Sequence, residues 1–490
     1  MTGKITQIWN NVVEVAFDKV SGDSLKIDHI LTMHDNKTTL LIKRILSNQV
    51  VRAVIVSAIK QITVNEPVIN TYKTLQVPVG DNAKNKVFDI LGNQINKEVK
   101  SEHAPLYVDM NSLITKPKKL DSVQKIIPTG IKVVDFFTPI VEGYKLGIFG
   151  GAGVGKTVLM KEIIFNAARL KQKTTPIFIG SGERSREGLE LYEELKESSL
   201  MKDAIMYVSQ MNETPAARMS IVPYGITAAE YLRDTKKENV FLFIDNIYRF
   251  IQATNEVSSS LGKKTSIGGY HSTLDTDISL VQDRLYVNDN GSITSFQTVF
   301  LPMDDLSDPA AFSLFSHLDG SLVLSREQMA KNIFPAFDPL ESNANSINPN
   351  IIGNKHYEAI IKAKGILKKF KDLEDVLLVL GIDELDAESR RVVKIALQLQ
   401  NFFTQRFFMA ENFTKEPGVY VNMQDTIDSV IRIIDGEFVN QPAELFSFIG
   451  STLDMKTDKE IEAEAMAAMK KQKQAAMDNE IKTKKGWRRS

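Results

Sequence analysis

A chain of 490 residues, 43% hydrophobic and 25% charged, has the composition of a folded globular protein and room for about three domains of roughly 150 residues. Its 60 Lys and Arg residues nearly balance 61 Asp and Glu residues, which argues against a protein whose main partner is nucleic acid. The absence of cysteine excludes disulfides, thiolate metal sites and a cysteine nucleophile. No apolar run reaches the ~18 residues that span a bilayer, and the amino terminus lacks the apolar core of a signal peptide. We therefore expect a cytoplasmic protein.

Residues 1–76 have the pattern of short β-strands. The apolar residues Val12, Val13, Val15 and Phe17 precede a predicted turn at 21–24, and two β-branched runs follow at 38–46 and 50–59. Strands at this spacing predict a small barrel or a sandwich.

Between residues 77 and 347, strand patterns alternate with helical patterns. The predicted strands are 144–149, 175–180, 203–208, 240–245 and 293–301. A helix is predicted at 157–170, directly after the first strand and a glycine-rich turn. Such alternation predicts βαβ units and a mainly parallel sheet.

Beyond about residue 347, helical spacing prevails. It recurs at 354–371, 383–404 and 424–435, which predicts a helical domain over 348–451. Residues 452–490 are rich in Ala, Met, Glu and Lys, and predict a charged tail that is an exposed helix or disordered.

The segment GGAGVGKT, from Gly150 to Thr157, fits the phosphate-binding pattern G-x-x-x-x-G-K-[ST]. In such a loop, backbone N–H groups surround phosphate oxygens at a helix N-terminus, the lysine reaches the outer phosphates and the hydroxyl binds Mg²⁺. A glycine-rich turn with a chance Lys-Thr is the alternative, but the strand before it and the helix after it favour a nucleotide site. The residues predicted to bind the phosphates are Gly151, Ala152, Gly153, Val154, Gly155, Lys156, Thr157 and Val158.

Three further charged side chains belong to the same prediction. Asp245 ends the apolar strand VFLFID, where an acid can hold Mg²⁺, although an acid there can also be a turn or helix cap. Glu183 follows the strand 175–180 and a predicted turn at Ser181-Gly182, so it can orient a water nucleophile at the carboxyl edge of the sheet. Its alternative role is that of an acid at a helix start. Arg249 can bond a phosphate through its planar guanidinium, or form a surface ion pair.

Six segments in chain order carry a family resemblance: GGAGVGKT, GERSREG (182–188), SQMNETPAARM (209–219), FLFIDNIYRF (241–250), DDLSDP (304–309) and FMAENF (408–413). Together they make residues 3–451 similar to the catalytic beta subunit of the rotary ATP synthase. The resemblance implies an N-terminal β-barrel, a central α/β RecA-like P-loop nucleotide-binding domain and a C-terminal helical lever domain.

The resemblance also implies roles for single residues, with ATP or ADP and Mg²⁺ as cofactors. Lys156 would contact phosphate and Glu183 would polarise the attacking water. The implied γ-phosphate contacts are Arg184 and Arg249, the implied magnesium shell is Thr157, Glu187 and Asp245, and the implied adenine pocket is Phe334, Phe407, Ala410 and Phe413. Core packing is the alternative for the phenylalanines.

The implied assembly is a ring of three catalytic and three homologous non-catalytic alpha-type subunits around a central gamma-type shaft. The alpha-type partner would supply an arginine in trans. The implied activity is ATP hydrolysis or synthesis coupled to rotation, without nucleic acid. Membrane contact would occur only through other subunits, with the complex peripheral on the cytoplasmic face of the cell membrane.

The sequence departs from the family pattern in places. Phe300 and Phe334 stand where tyrosine is typical, and the acidic motif that meets the shaft is DELDAES at 383–389, with one acid fewer than usual. These departures keep open a related head that drives a motility or secretion machine without proton transport. A non-catalytic nucleotide-binding subunit is the other alternative, and Glu183 argues against it. A helicase with a similar core is disfavoured by the neutral charge balance.

Overall fold

A computed structural model describes residues 1–18, 24–33, 37–99, 103–110, 125–169, 174–265, 269–300, 308–453 and 455–461. Residues 304–307 of the DDLSDP segment and residues 462–490 of the predicted tail lie outside the described residues. Among the helices that are described, none is long and apolar enough to cross a membrane.

The N-terminal strands form a closed barrel, which decides between the barrel and the sandwich that the sequence left open. The strands are β1 (Thr2–Trp9), β2 (Val12–Phe17), β3 (Ile30–Met33), β4 (Thr39–Ile45), β5 (Val50–Ser57) and β6 (Pro67–Asn70). Their order around the barrel is β1-β2-β5-β4-β3-β6. Val13, Val15 and Phe17 alternate into its buried core, as the period-two pattern predicts. Closure pairs β1 with β6, so that no strand edge of the barrel is left open.

The central part of the chain is built on an eight-stranded sheet of order β18-β17-β12-β16-β15-β13-β14-β8. Every neighbouring pair is parallel except β17 and β18. The strands of this region are β7 (Gln76–Val79), β8 (Lys86–Phe88), β9 (Leu106–Asp109), β10 (Ile126–Ile127), β11 (Ile140–Val141), β12 (Lys145–Gly150), β13 (Thr174–Glu183), β14 (Ile205–Gln210), β15 (Asn239–Asp245), β16 (Ile293–Phe300), β17 (Gly320–Val323) and β18 (Asn343–Ala344). The pairs β7–β9 and β10–β11 form separate two-stranded sheets.

Helices cover both faces of this sheet. They are α1 (Lys132–Phe137), α2 (Lys156–Arg169), α3 (Ser185–Glu197), α4 (Pro215–Asp234), α5 (Ile247–Ser260), α6 (Leu274–Gln282), α7 (Pro309–His317) and α8 (Arg326–Ala330). On one face, Phe243 stacks between Phe178 at 5.2 Å and Phe296 at 5.0 Å between ring centroids. The alternate residues Leu242 and Ile244 pack on the other face, in the core that contains α4. Burial on both faces explains why the central strands are continuously apolar.

Two predicted strand limits are wrong. The segment predicted as a strand at 203–208 begins with a 3₁₀ turn, Leu200–Asp203, and β14 is Ile205–Gln210. The strand predicted at 175–180 continues as β13 to Glu183, and the turn predicted at Ser181-Gly182 is instead an irregularity in its pairing with β14. Local residue preferences favour a turn here, but pairing with β14 extends the strand beyond Gly180.

The C-terminal part is helical, with α9 (Pro349–Ile352), α10 (Asn354–Leu380), α11 (Ala387–Phe402), α12 (Glu411–Thr414) and α13 (Met423–Asp435). The prediction ended α10 at residue 371, nine residues early. Its last turns carry exposed apolar side chains, with Leu378 at 85% and Val379 at 81% exposure, so no buried stripe marks them as helical. In the motif 383–389, the Asp386 carboxylate accepts the backbone N–H groups of Glu388 and Ser389 at 3.0 Å and caps α11.

These observations confirm the predicted fold class: barrel, parallel nucleotide-binding core and helical region. The boundaries at 76, 347 and 451 stay predictions.

The buried side chain of Gln405 joins the helical region to the start of the central region. Its Nε2 donates to the carbonyl oxygens of Gly130 at 2.7 Å and Val419 at 2.6 Å, and its Oε1 accepts the N–H of Lys132 at 2.8 Å. Lys132 reinforces the joint, because its Nζ donates to the carbonyl oxygen of Ile449 at 2.6 Å. One amide thus satisfies backbone groups from both regions.

We predict that Gln405→Leu lowers the free energy of unfolding by about 3 kcal/mol, because it leaves one N–H and two carbonyl groups buried without this partner. Gln424→Leu is the control, since Gln424 is exposed and bonds only Asp428 among described contacts; its expected effect is within about 0.5 kcal/mol. Denaturant titration measures both. Equal stability of the two variants would contradict the role given to Gln405.

Candidate functional site

The glycine-rich loop lies between the end of β12 at Gly150 and the start of α2 at Lys156. Gly153 and Gly155 have φ values of +80° and +95°, and a Cβ atom at either would meet nothing within 4 Å. Glycine is therefore required by the backbone conformation and not by lack of space. The loop leads directly into the N-terminus of α2, whose first N–H groups have no partners within the helix and favour an anion.

The ammonium group of Lys156 lies across this loop. Its Nζ donates to the carbonyl oxygens of Gly150 at 2.7 Å and Gly151 at 2.5 Å, and it sits 5.5 Å from the ring centroid of Phe300. Phosphate oxygens are stronger acceptors than carbonyls, so a bound phosphate can replace these bonds. The substitution of phenylalanine for tyrosine at position 300 keeps an aromatic face beside the lysine.

Two strand ends bring acidic groups to the same edge of the sheet. The strands β13 and β15 are parallel neighbours in the sheet. Glu183 is the last residue of β13, and Asp245 is the last residue of β15. Arg249, in the first turn of α5, donates from Nη1 to Glu183 Oε1 at 3.0 Å and also to the carbonyl oxygen of Gly182. Asp245 accepts the hydroxyl of Thr298 at 2.5 Å. These bonds fix the direction of both carboxylates.

Burial disfavours the ionised forms of both carboxylates unless a positive charge lies close to them. It raises the pKa of Glu183 to about 9, helped by the neighbouring Asp245 and opposed by Arg249. Burial also raises the pKa of Asp245, while the hydroxyl of Thr298 acts in the opposite direction. Two carboxylates whose ionised forms are both disfavoured by burial are a suitable environment for an added cation.

A cavity of about 250 Å³ brings most of the polar predictions together. Thr157, Glu183, Glu187 and Asp245 all line it, from α2, β13, α3 and β15. Arg184 lies at its margin, with an exposed side chain 3.8 Å from Glu187. Hydroxyl and carboxylate oxygens are the ligands that Mg²⁺ prefers, so the donor set fits this ion. Among the described residues, no group of three or more His, Cys, Asp or Glu side chains is arranged to hold a metal ion.

Of the predicted adenine residues, Phe407 and Ala410 lie in the link between α11 and α12, Phe413 lies in α12, and Phe334 lies in a loop of the central region. The carbonyl oxygen of Phe334 accepts the N–H of Gln405 at 2.9 Å, which places the loop of Phe334 beside this link. Phe334 is 46% exposed, Phe407 is buried and Ala410 is half-buried. The side chain of Phe413 lies outside the described part of the structure.

Two residues near the site were missed by the sequence analysis. Thr298 is an ordinary residue inside an apolar strand, and only the register of β16 beside β15 brings it to Asp245. Glu162 lies in α2 and accepts the N–H of Met409, which is 247 residues further along the chain. No local signal in the sequence could have indicated either contact.

A phosphate loop at the N-terminus of α2, with acids at the ends of two further parallel strands, defines a P-loop nucleotide-binding protein. Residues 130–344 match the model of the ATP synthase alpha/beta family, nucleotide-binding domain. The chain is also 46% identical over 455 residues to ATP synthase subunit beta 2 of Mycoplasmopsis pulmonis (strain UAB CTIP), covering 92% of this chain and 96% of that protein. The chain therefore belongs to the ATP synthase alpha/beta family, and the resemblance to its catalytic beta subunits is confirmed. It is a catalytic subunit of a rotary ATPase head, an ATP hydrolase or synthase.

We predict that Thr298→Val weakens Mg²⁺ binding to the nucleotide-loaded protein about tenfold, because the hydroxyl that stabilises ionised Asp245 is lost. Thr298→Ser is the matched control and keeps the affinity, since its hydroxyl can still donate. Titration of Mg²⁺ into protein saturated with ADP measures both. Equal Mg²⁺ affinities for the two variants would contradict this role of Thr298.

Proposed function

We propose that ATP or ADP binds with its phosphates on residues 151–158 and with Mg²⁺ between the nucleotide and the acidic cluster. The observation that carries this proposal is the single cavity lined by Thr157, Glu183, Glu187 and Asp245 directly beside the glycine-rich loop. When bound, Mg²⁺ would neutralise phosphate charge, held by Thr157 with Glu187 and Asp245 around it. Lys156 would leave the loop carbonyls for the outer phosphates.

Glu183 is the residue we assign to the attacking water. Its carboxylate needs to be ionised to accept a proton, and burial together with the neighbouring Asp245 raises its pKa and disfavours this form. Cations brought near it by MgATP binding favour ionisation, so that Glu183 becomes a base when the substrate is in place. Arg249 holds the carboxylate through Oε1 and so fixes its direction in the cavity. Water activation of this kind is general base catalysis.

The arginines are assigned to the γ-phosphate. Arg249 is already directed into the cluster by its bond to Glu183. Arg184 is exposed and paired with Glu187, so it would exchange this partner for phosphate when nucleotide binds. Phe334, Phe407, Ala410 and Phe413 would enclose the adenine base, which suits apolar and aromatic surfaces.

The partners we propose are a homologous alpha-type subunit, a gamma-type shaft and the remaining subunits of a membrane-attached complex. The alpha-type subunit would place an arginine in the catalytic site and alternate with this chain in a three-plus-three ring. The segment 383–389, beside the exposed apolar tip of α10, would meet the shaft. The complex would be peripheral on the cytoplasmic face of the cell membrane, attached through other subunits.

We predict that Glu183→Gln lowers ATP turnover by roughly 10²–10⁴-fold while MgATP binding persists, because the amide can accept from Arg249 but cannot take a proton. Steady-state hydrolysis by the assembled head and equilibrium binding of MgATP measure the two effects. Glu193→Gln is the control, since Glu193 lies exposed on α3 and should leave turnover unchanged. Near-normal turnover of Glu183→Gln would remove Glu183 from its assigned role.

We also predict feeble ATPase activity from the isolated chain, with a gain of about 10³–10⁵-fold on assembly with its alpha-type partner, the range expected for an arginine supplied in trans. A partner with that arginine changed to alanine should assemble but restore little activity. Full activity from a demonstrably monomeric preparation would contradict the proposal.

A further inference from the structure

Glu162 is a fully buried carboxylate in the helix that follows the phosphate loop. Its Oε2 accepts the backbone N–H of Met409 at 3.0 Å, and its Oε1 lies 3.3 Å from the amide donor of Asn166. Burying a carboxylate is costly unless hydrogen bonds stabilise it. The bond to Met409 crosses from the central region to the helical region, whereas the bond to Asn166 stays within α2.

Met409 lies in a 3₁₀ turn, Phe408–Ala410, which leads directly into α12. The N-cap position of this turn is Phe407, which has no side-chain oxygen, and no side-chain cap bond is formed from it. The N–H groups at the start of such a turn need an acceptor, and a negative charge there is favoured. Glu162 supplies that acceptor from a distant part of the chain.

A second contact follows the same face of α2. The ring of Phe165, one turn beyond Glu162, packs 5.3 Å from the ring of Phe408 at an interplanar angle of 37°. Residues three apart on a helix lie on one face, so α2 holds the turn at two points. Glu162 lies six residues after Lys156, a rise of about 9 Å along the helix. Helix α2 therefore carries the phosphate-binding residues at its N-terminus and, about two helical turns later, the residues that contact the segment Phe408–Ala410.

We propose that Glu162 is a positioning residue for recognition of the nucleotide base. By capping the turn Phe408–Ala410 it holds Phe407 and Ala410 at a fixed place relative to the phosphate loop. This inference rests on the proposed function, in which these residues contact adenine. In this proposal Glu162 does not contact the nucleotide, so its substitution affects the affinity only for ligands that carry a base.

The experiment compares the affinity of the full-length chain for ATP and for inorganic tripolyphosphate, both with Mg²⁺, by isothermal titration calorimetry. Tripolyphosphate engages the phosphate loop alone. Glu162→Ala should weaken ATP binding about tenfold, the effect of one lost charge-assisted hydrogen bond, and leave tripolyphosphate within about twofold. Glu162→Gln should bind ATP within about threefold of the unsubstituted chain, because its amide oxygen can accept the N–H of Met409.

Ile164→Ala is the matched control for lost stability, since Ile164 is a buried residue of α2 that packs in the core. It should not change the ratio of the two affinities, although its melting temperature falls. If Glu162→Ala does not fold, Glu162→Asp serves the same test, because its carboxylate is one methylene too short for Met409.

The inference would be overturned if Glu162→Ala weakened the binding of ATP and of tripolyphosphate equally, or weakened neither. Glu162 would then act on the phosphate loop or only on stability. Failure of Gln to restore ATP affinity would also overturn it. The proposed function fails separately if the unsubstituted chain binds ATP no more tightly than tripolyphosphate, because no base pocket would then contribute.

Discussion

Parallel pairing of the central strands is the constraint on which the site depends. Every strand from β17 to β14 runs in the same direction, so the chain leaves each of them at one edge of the sheet. The phosphate loop follows β12, and Glu183 and Asp245 end β13 and β15. Glu183 and Asp245, which follow Lys156 by 27 and 89 residues, therefore lie close together near the N-terminus of α2.

The electrostatics of the site follow from that convergence. The apolar faces of the strands exclude water from the acids at their ends, and burial raises the pKa of both Glu183 and Asp245. Arg249 and Thr298 stabilise the ionised forms in part, through bonds that set the direction of each carboxylate. Carboxylates whose direction is fixed and whose ionised forms are disfavoured by burial make the site suited to the cation that we propose for it.

Helix α2 connects this chemistry to the helical region. It begins at the phosphate loop, and its buried Glu162 accepts a backbone N–H from the turn that precedes α12. The side chain of Gln405 forms separate hydrogen bonds between the helical region and the start of the central region. Movement of the phosphate-binding element can therefore reach the turn before α12 through a hydrogen bond and not only through the covalent chain.

The sequence by itself determined the fold class and the phosphate loop, because apolar periodicity and the glycine, lysine and threonine spacing are local properties of consecutive residues. Asp245 could be placed at a strand end for the same reason, whereas Glu183 was predicted to follow a turn after the strand 175–180. The tertiary structure decided that the N-terminal strands close into a barrel, that β13 continues through Ser181, that Thr298 bonds Asp245 and that Glu162 bonds Met409. These features depend on pairing and packing between segments as far apart as Glu162 and Met409. Residue preferences along the chain carry no information about such distant partners, so only the folded chain could reveal them.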